Sequence, residues 1–182
     1  MAPKCEFHKE SVEYLGFIPS TDSLRMAQDK VQTILDWPEP HKVKHVQSFL
    51  GFYNFYQWFI HSYSDIVIPL TQLTCKHAPW NFNWNCCSAF KKLKEEFTHA
   101  PVLMKWLPNA RMIIETDTSD YALTTIISMY TPNGKIHPVA FHSHSFNSAE
   151  LNYDTHNKEL LAIFEAFKHW WQYLEGSERY TD

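Results

Sequence analysis

The chain has 182 residues, 45% hydrophobic and 20% charged, with a formal net charge of -4 at pH 7. Such a composition excludes general disorder, because it can fill one core or two small ones. Residues 1 to 100 carry 10 Lys and Arg against 10 Asp and Glu, and residues 101 to 182 carry 6 against 10, so the whole deficit lies in the C-terminal part. A protein that held nucleic acid by phosphate neutralisation alone would show the opposite balance. The acidic excess suits a carboxylate metal site, or simply a solvated acidic surface. No run of eighteen uncharged apolar residues occurs, and MAPKCEFHKE has no apolar core for a secretory signal, so a soluble, intracellular protein without a membrane partner is expected. The four cysteines, Cys5, Cys75, Cys86 and Cys87, contain no C-x-x-C spacing and are expected as free thiols.

Residues 6 to 18 alternate weakly and reach Gly16, which predicts a short strand or hairpin ending at the turn PSTDS. From Met26, the spacing of Val31, Ile34 and Leu35 predicts a helix that Pro38 and Pro40 stop. A second helix is predicted from Val43 to about Phe59, with an aromatic stripe assigned mainly to core. The segment KHAPWNFNWN reads as a loop, and Cys87 to His99 as a helix. Three strands follow, at 111 to 117, 122 to 130 and 136 to 143, with a hairpin signal at Asn133-Gly134 between the last two. A long amphipathic helix then presents Leu160, Ile163, Phe164, Phe167, Trp170, Trp171 and Leu174 as its apolar face, up to a C-cap at Gly176. The expected fold class is α+β: a helical segment, then three antiparallel strands backed by one long helix.

The segments EYLGFIPS, KVQTILDWPEPHKVKHVQSFLGFYNFYQWFI, SDIVIPLTQLT, FTHAPVL, ETDTSDYA, HPVAFHS and NYDTHNKELLAIFEAFKHWWQYLEG occur in this order. In that succession the chain resembles the Pol polyprotein of gypsy-type (Metaviridae) long-terminal-repeat retrotransposons, and its last part resembles the elements of basidiomycete fungi. The resemblance implies that residues 1 to 24 end a reverse transcriptase palm, that 25 to 75 form a thumb-like segment, and that 78 to 182 form a truncated RNase H-like domain. It implies RNA/DNA hybrid or template-primer as partner, within the rest of a Pol polyprotein, in the cytoplasm, a virus-like particle or the nucleus. The Tyr-x-Asp-Asp polymerase signature does not occur in the chain.

Nucleases of this family hydrolyse the RNA of a hybrid with two divalent cations, Mg²⁺ or Mn²⁺, about 4 Å apart. By resemblance, Asp117 is the first-strand carboxylate and Glu159 the helix carboxylate, both catalytic and metal-binding. Asp182 resembles the third, although only five residues separate it from Gly176. The expectation is therefore a catalytically defective chain, with a non-catalytic nucleic-acid- or protein-binding relic as the alternative. Further departures from the family's pattern fit one kind of nucleotide transition. Gln57, Trp58, Cys75, Cys87 and His144 stand where the family has Arg, Asn157 where it has Asp, and Thr118, Thr124 and Thr125 where it has small residues. Thr124 and Thr125 are expected to crowd their strand. The pairs His41/His45 and His142/His144 have metal-chelating spacing but no third ligand nearby in sequence.

Overall fold

The structure is a computed structural model and describes residues 13, 15–20, 23–108 and 110–175. Strands β1 (Phe17–Pro19) and β2 (Ser23–Met26) form an antiparallel hairpin straddling the predicted turn, and β3 (Leu103–Met104) adds to β2 with Leu24 opposite Leu103. The hairpin is entered through Leu15 and Gly16, both with positive φ. A Cβ at Gly16 would come within 2.5 Å of the Tyr56 hydroxyl, so only glycine fits this turn against the second helix. The first helix, α1 (Gln28–Leu35), starts after Met26, which belongs to β2.

Helices α2 (Val43–Tyr56), α3 (Tyr63–Leu73) and α4 (Trp84–Thr98) build the main core with α1. In α2 the buried positions Val46, Phe49, Leu50, Tyr53 and Tyr56 recur every three or four residues, and a 3₁₀ turn (Gln57–Phe59) continues it. Most of the aromatic stripe is indeed core, with Phe55 left 49% exposed. Helix α3 was not legible in the sequence, because Pro69 interrupts its pattern from inside. It persists because Ile66, Val67, Leu70 and Leu73 are buried, which outweighs one missing backbone donor. Helix α4 begins three residues before the expected Cys87, because the Asn83 side chain accepts the Cys86 N–H at 3.1 Å as an N-cap.

Aromatic contacts lock α4 into this helical cluster: Phe90 lies 4.5 Å from Phe49, and Phe97 lies 5.4 Å from Tyr53 and from Tyr56 between ring centroids. The Lys94 ammonium, at the edge of the same contact, donates to the carbonyls of Leu35 and Trp37 and so caps the end of α1.

The second sheet has the order β4 (Met112–Thr118), β5 (Ala122–Tyr130), β6 (Ile136–Ser145), antiparallel throughout, as the sequence predicts. Between β5 and β6 the turn Thr131-Pro132-Asn133-Gly134 closes through the Gly134 N–H on the Thr131 carbonyl, with Gly134 at φ 78. A register shift between Ile127 and Ser128 accommodates Pro138, which has no N–H for the ladder. Strand β5 is buried on both faces. One face, with Ile127 and Met129, packs under α5 (Thr155–Leu174) against Ala166 and Trp170. The other, with Ile126, meets the helical cluster alongside Phe141 of β6. The Ser64 N–H donates to the Ser143 hydroxyl at 2.9 Å across that second junction. The architecture is thus α+β in layers, with the sheet between α5 and the helical cluster.

Two expectations need correction. The predicted apolar face of α5 is only partly covered: Trp170 is buried with Ala162 and Ala166 and Leu174 packs beside them, whereas Leu160, Ile163, Phe164, Phe167 and Trp171 are exposed. Two small alanines let the helix approach the sheet closely, with Trp170 as the one large residue wholly buried there. Nor do the buried threonines simply crowd β5, for the Thr125 hydroxyl accepts the Trp170 indole N–H at 3.0 Å. Cys75, Cys86 and Cys87 are free thiols, as expected. Cys5 and Gly176 lie outside the described residues. No helix among the described residues is long and apolar enough to cross a membrane.

Candidate functional site

The candidate site lies where β4 ends. Alternation along β4 sends Met112, Ile114 and Thr116 towards α5, where they line a groove with Ile163, Ala166 and Phe167. The same alternation sends Glu115 and Asp117 to the opposite face, into a groove shared with His61, Thr124 and Ile126. The register agrees: Asp117 stands opposite Thr124 and Glu115 opposite Ile126. Asp117 is exposed, and one of its carboxylate oxygens accepts the Thr118 N–H at 2.9 Å.

The turn after β4 is held from both sides. The Ser119 hydroxyl donates to the Asp65 carboxylate of α3 at 2.6 Å and also accepts the N–H groups of Tyr121 and Ala122. From the other layer, the Lys158 ammonium of α5 donates to the Asp120 carbonyl at 3.2 Å. Helix α5 itself is started by the Asp154 carboxylate, which accepts the Asn157 N–H at 2.8 Å. These bonds fix the strand end and the helix start relative to one another.

Glu159 is exposed on α5, one turn before Ile163, which lines the groove shared with Met112 and Ile114. The groove lined by Asp117 does not include Glu159, so the structure does not bring the two carboxylates into one pocket. Asp182 lies outside the described residues. A divalent cation of the magnesium type asks for several converging oxygen ligands. Among the described residues no group of three or more His, Cys, Asp or Glu lies close enough to hold a metal ion, so Asp117 and Glu159 do not by themselves fit one.

The histidine pairs have other employment. The His45 ring accepts the His41 N–H at 3.4 Å at the start of α2. His144 pairs with Glu150 at 3.0 Å. Partial burial would raise the Glu150 carboxyl, but the Asn147 N–H and His144 outweigh it and hold the group below the usual range. His142 stacks on His169 of α5 with ring centroids 3.7 Å apart and planes 12° from parallel. Burial, then His169 and His144, push His142 down to about 4, against Glu165. Burial likewise lowers His169.

Sequence reasoning missed His61, Glu115 and Thr124 as neighbours of Asp117, and Asp65 as the anchor of the Ser119 turn. Glu115 was findable, since it stands two residues before Asp117 on one strand and so shares its face. His61 and Asp65 were not, because one precedes and the other opens the helix that Pro69 obscured.

An antiparallel three-stranded sheet backed by a long helix is the arrangement that the resemblance to RNase H-like domains implies. Residues 82–181 match the family described as "RNase H-like domain found in reverse transcriptase", and the chain belongs to that family. It is 32% identical over 174 residues to the Transposon Tf2-3 polyprotein of Schizosaccharomyces pombe, covering 96% of this chain and 13% of that polyprotein's length. Its fold is similar to that of the foamy viral protease-reverse transcriptase solved with double-stranded DNA, with a TM-score of 0.76, 22% identity, and coverage of 95% of this chain and 31% of that one. The same viral protein solved with an RNA/DNA hybrid matches with a TM-score of 0.76 at 21% identity, over 96% of this chain and 24% of that one. The gypsy-type resemblance and the α+β reading agree with these matches.

Proposed function

We propose that this chain works as the RNase H-like module of a retrotransposon reverse transcriptase together with the thumb segment that precedes it. Residues 1 to 24 correspond to the end of the palm, 25 to 75 to the thumb and 78 to 182 to the RNase H-like part. The reading rests on one observation above all: the helical cluster and the sheet meet at the strand end that carries Asp117, through His61 and the Asp65 to Ser119 bond. A hybrid duplex passing from a thumb to a nuclease would have to follow this junction, which makes RNA/DNA hybrid the partner of choice.

In this reading Asp117 and Glu159 are the two carboxylates the chain contributes to a metal-dependent hydrolysis, with Mg²⁺ or Mn²⁺ as the cation. Two carboxylates that share no groove are too few to organise the reaction. The chain alone is therefore expected to leave a labelled RNA/DNA hybrid uncut in either cation, while a circular dichroism melt shows it folded. Asp117→Asn is the control. Cleavage by the parent chain that disappears in Asp117→Asn would overturn the incomplete-site part and place a working nuclease here.

A further inference from the structure

We infer that the stacked imidazoles of His142 and His169 form an acid-sensitive latch, which holds the α5 layer on β6 at neutral pH and releases it when the pair takes up protons. The two rings come from different layers and lie inside the contact between them. His142 stands on β6 opposite Thr125 of β5, a residue that does not ionise. Its ring stacks on that of His169 with centroids 3.7 Å apart and planes 12° from parallel. The next ring along α5 is that of Trp170, which meets His169 edge-on at 4.4 Å and donates its indole N–H to the Thr125 hydroxyl at 3.0 Å. The latch therefore sits against the one large side chain of α5 that is wholly buried in this contact.

Parallel imidazoles this close pack well while neutral, but two cations in the same places repel each other, the more so where water is scarce. The charged neighbours do not relieve that repulsion. On α5, Glu165 faces the pair from one turn before His169, yet its carboxylate is already engaged by the Lys168 ammonium at 2.9 Å. On β6, His144 brings a third imidazole, and the carboxylate of Glu150, in the 3₁₀ turn Glu150–Asn152, is taken up by His144 itself at 3.0 Å. Burial, then His169 and His144, push His142 down to about 4 against Glu165, and burial lowers His169 as well. The sign follows from linkage. Between 6.5 and about 4 the released form binds a proton that the latched form refuses, so the latch is complete above this range and is lost as pH falls through it. Release of α5 leaves the rest covered, because the helical cluster packs on the opposite face of the sheet, against Ile126 and Phe141.

Native-state hydrogen exchange of the full chain tests this, read by NMR at the Trp170 indole N–H and the α5 amides, with the Phe49 amide of α2 as reference. After correction for the intrinsic pH dependence of exchange, the α5 sites should exchange through an opening that leaves Phe49 protected. That opening should become on the order of 20-fold more populated between pH 7 and pH 5. His142→Phe keeps a ring on His169 and should abolish the rise. His169→Gln, at an exposed position, should reduce it, because His142 then regains water. Trp170 and Phe49 exchanging together at every pH would overturn the inference, since α5 would then leave the sheet only in global unfolding. So would an α5 opening no more populated at pH 5 than at pH 7, or a rise that persists undiminished in either variant.

Discussion

The hydrogen bond from Trp170 to Thr125 joins two wholly buried groups, one on α5 and one on the middle strand. The family resemblance marks Thr125 as a misfit in a strand that wants small residues, yet its hydroxyl gives the indole the acceptor that a buried N–H needs. Thr125→Val keeps the volume and removes the acceptor, so it should destabilise the fold by about 1 to 3 kcal/mol in urea titrations, because an orphaned buried donor loses its full desolvation penalty. Thr125→Ser should retain most of the stability. Equal midpoints for Thr125→Val and the parent would mean that the bond contributes nothing. At this same scale, the motif ETDTSDYA places Asp117 on its strand, while the groove it lines with His61 and Thr124 was not legible. Strand parity gives which residues share a side, but only the packed structure says which layer lies there.

At the scale of elements, periodicity located α5, but it misled about which way the helix faces. An apolar stripe announces burial against something, yet Ala162, Ala166 and Trp170 take the contact while Leu160, Phe164 and Trp171 stay exposed. The seam beside that contact is the stacked pair His142 and His169, bordered by His144, Glu165, Trp170 and, through His144, Glu150. His142 titrates near 6.5 in an unfolded chain and is pushed down to about 4 in the folded one. Between those values the unfolded chain binds a proton that the folded chain refuses. Stability is therefore complete above the unfolded value and is lost as pH falls towards the folded one. The loss should reach on the order of 2 to 3 kcal/mol, seen as a falling melting temperature between pH 7 and pH 5 and below. His142→Phe keeps a ring on His169 and should flatten this decline. An unchanged slope would assign the acid sensitivity to other groups.

For the whole molecule, the order of elements could be read along the chain except for α3 and β3, but the partnership of α4 could not. Residues 82 to 175 carry the nuclease-like sheet, and the family match begins at the same point, yet α4 spends its apolar face on Phe49, Tyr53 and Tyr56 of α2. Phe141 and Ile126 on the sheet likewise need the helical cluster as their cover. Such contacts join residues distant in sequence, and nothing in local spacing reports them. The consequence is that the two halves share one core. A chain of residues 82 to 175 alone would expose Phe90, Leu93 and Phe97, leave Lys94 without the carbonyls of Leu35 and Trp37, and strip one face of β5 and β6. Losing several such buried side chains, each contributing about 1.5 to 3 kcal/mol, exceeds the whole stability of an ordinary domain. The shortened chain should keep helical far-ultraviolet dichroism, lose its near-ultraviolet signal, bind a hydrophobic dye and melt without cooperativity, whereas the full chain melts in one transition. A cooperative melt of the shortened chain would show instead that the sheet and α5 hold together without the thumb-like helices.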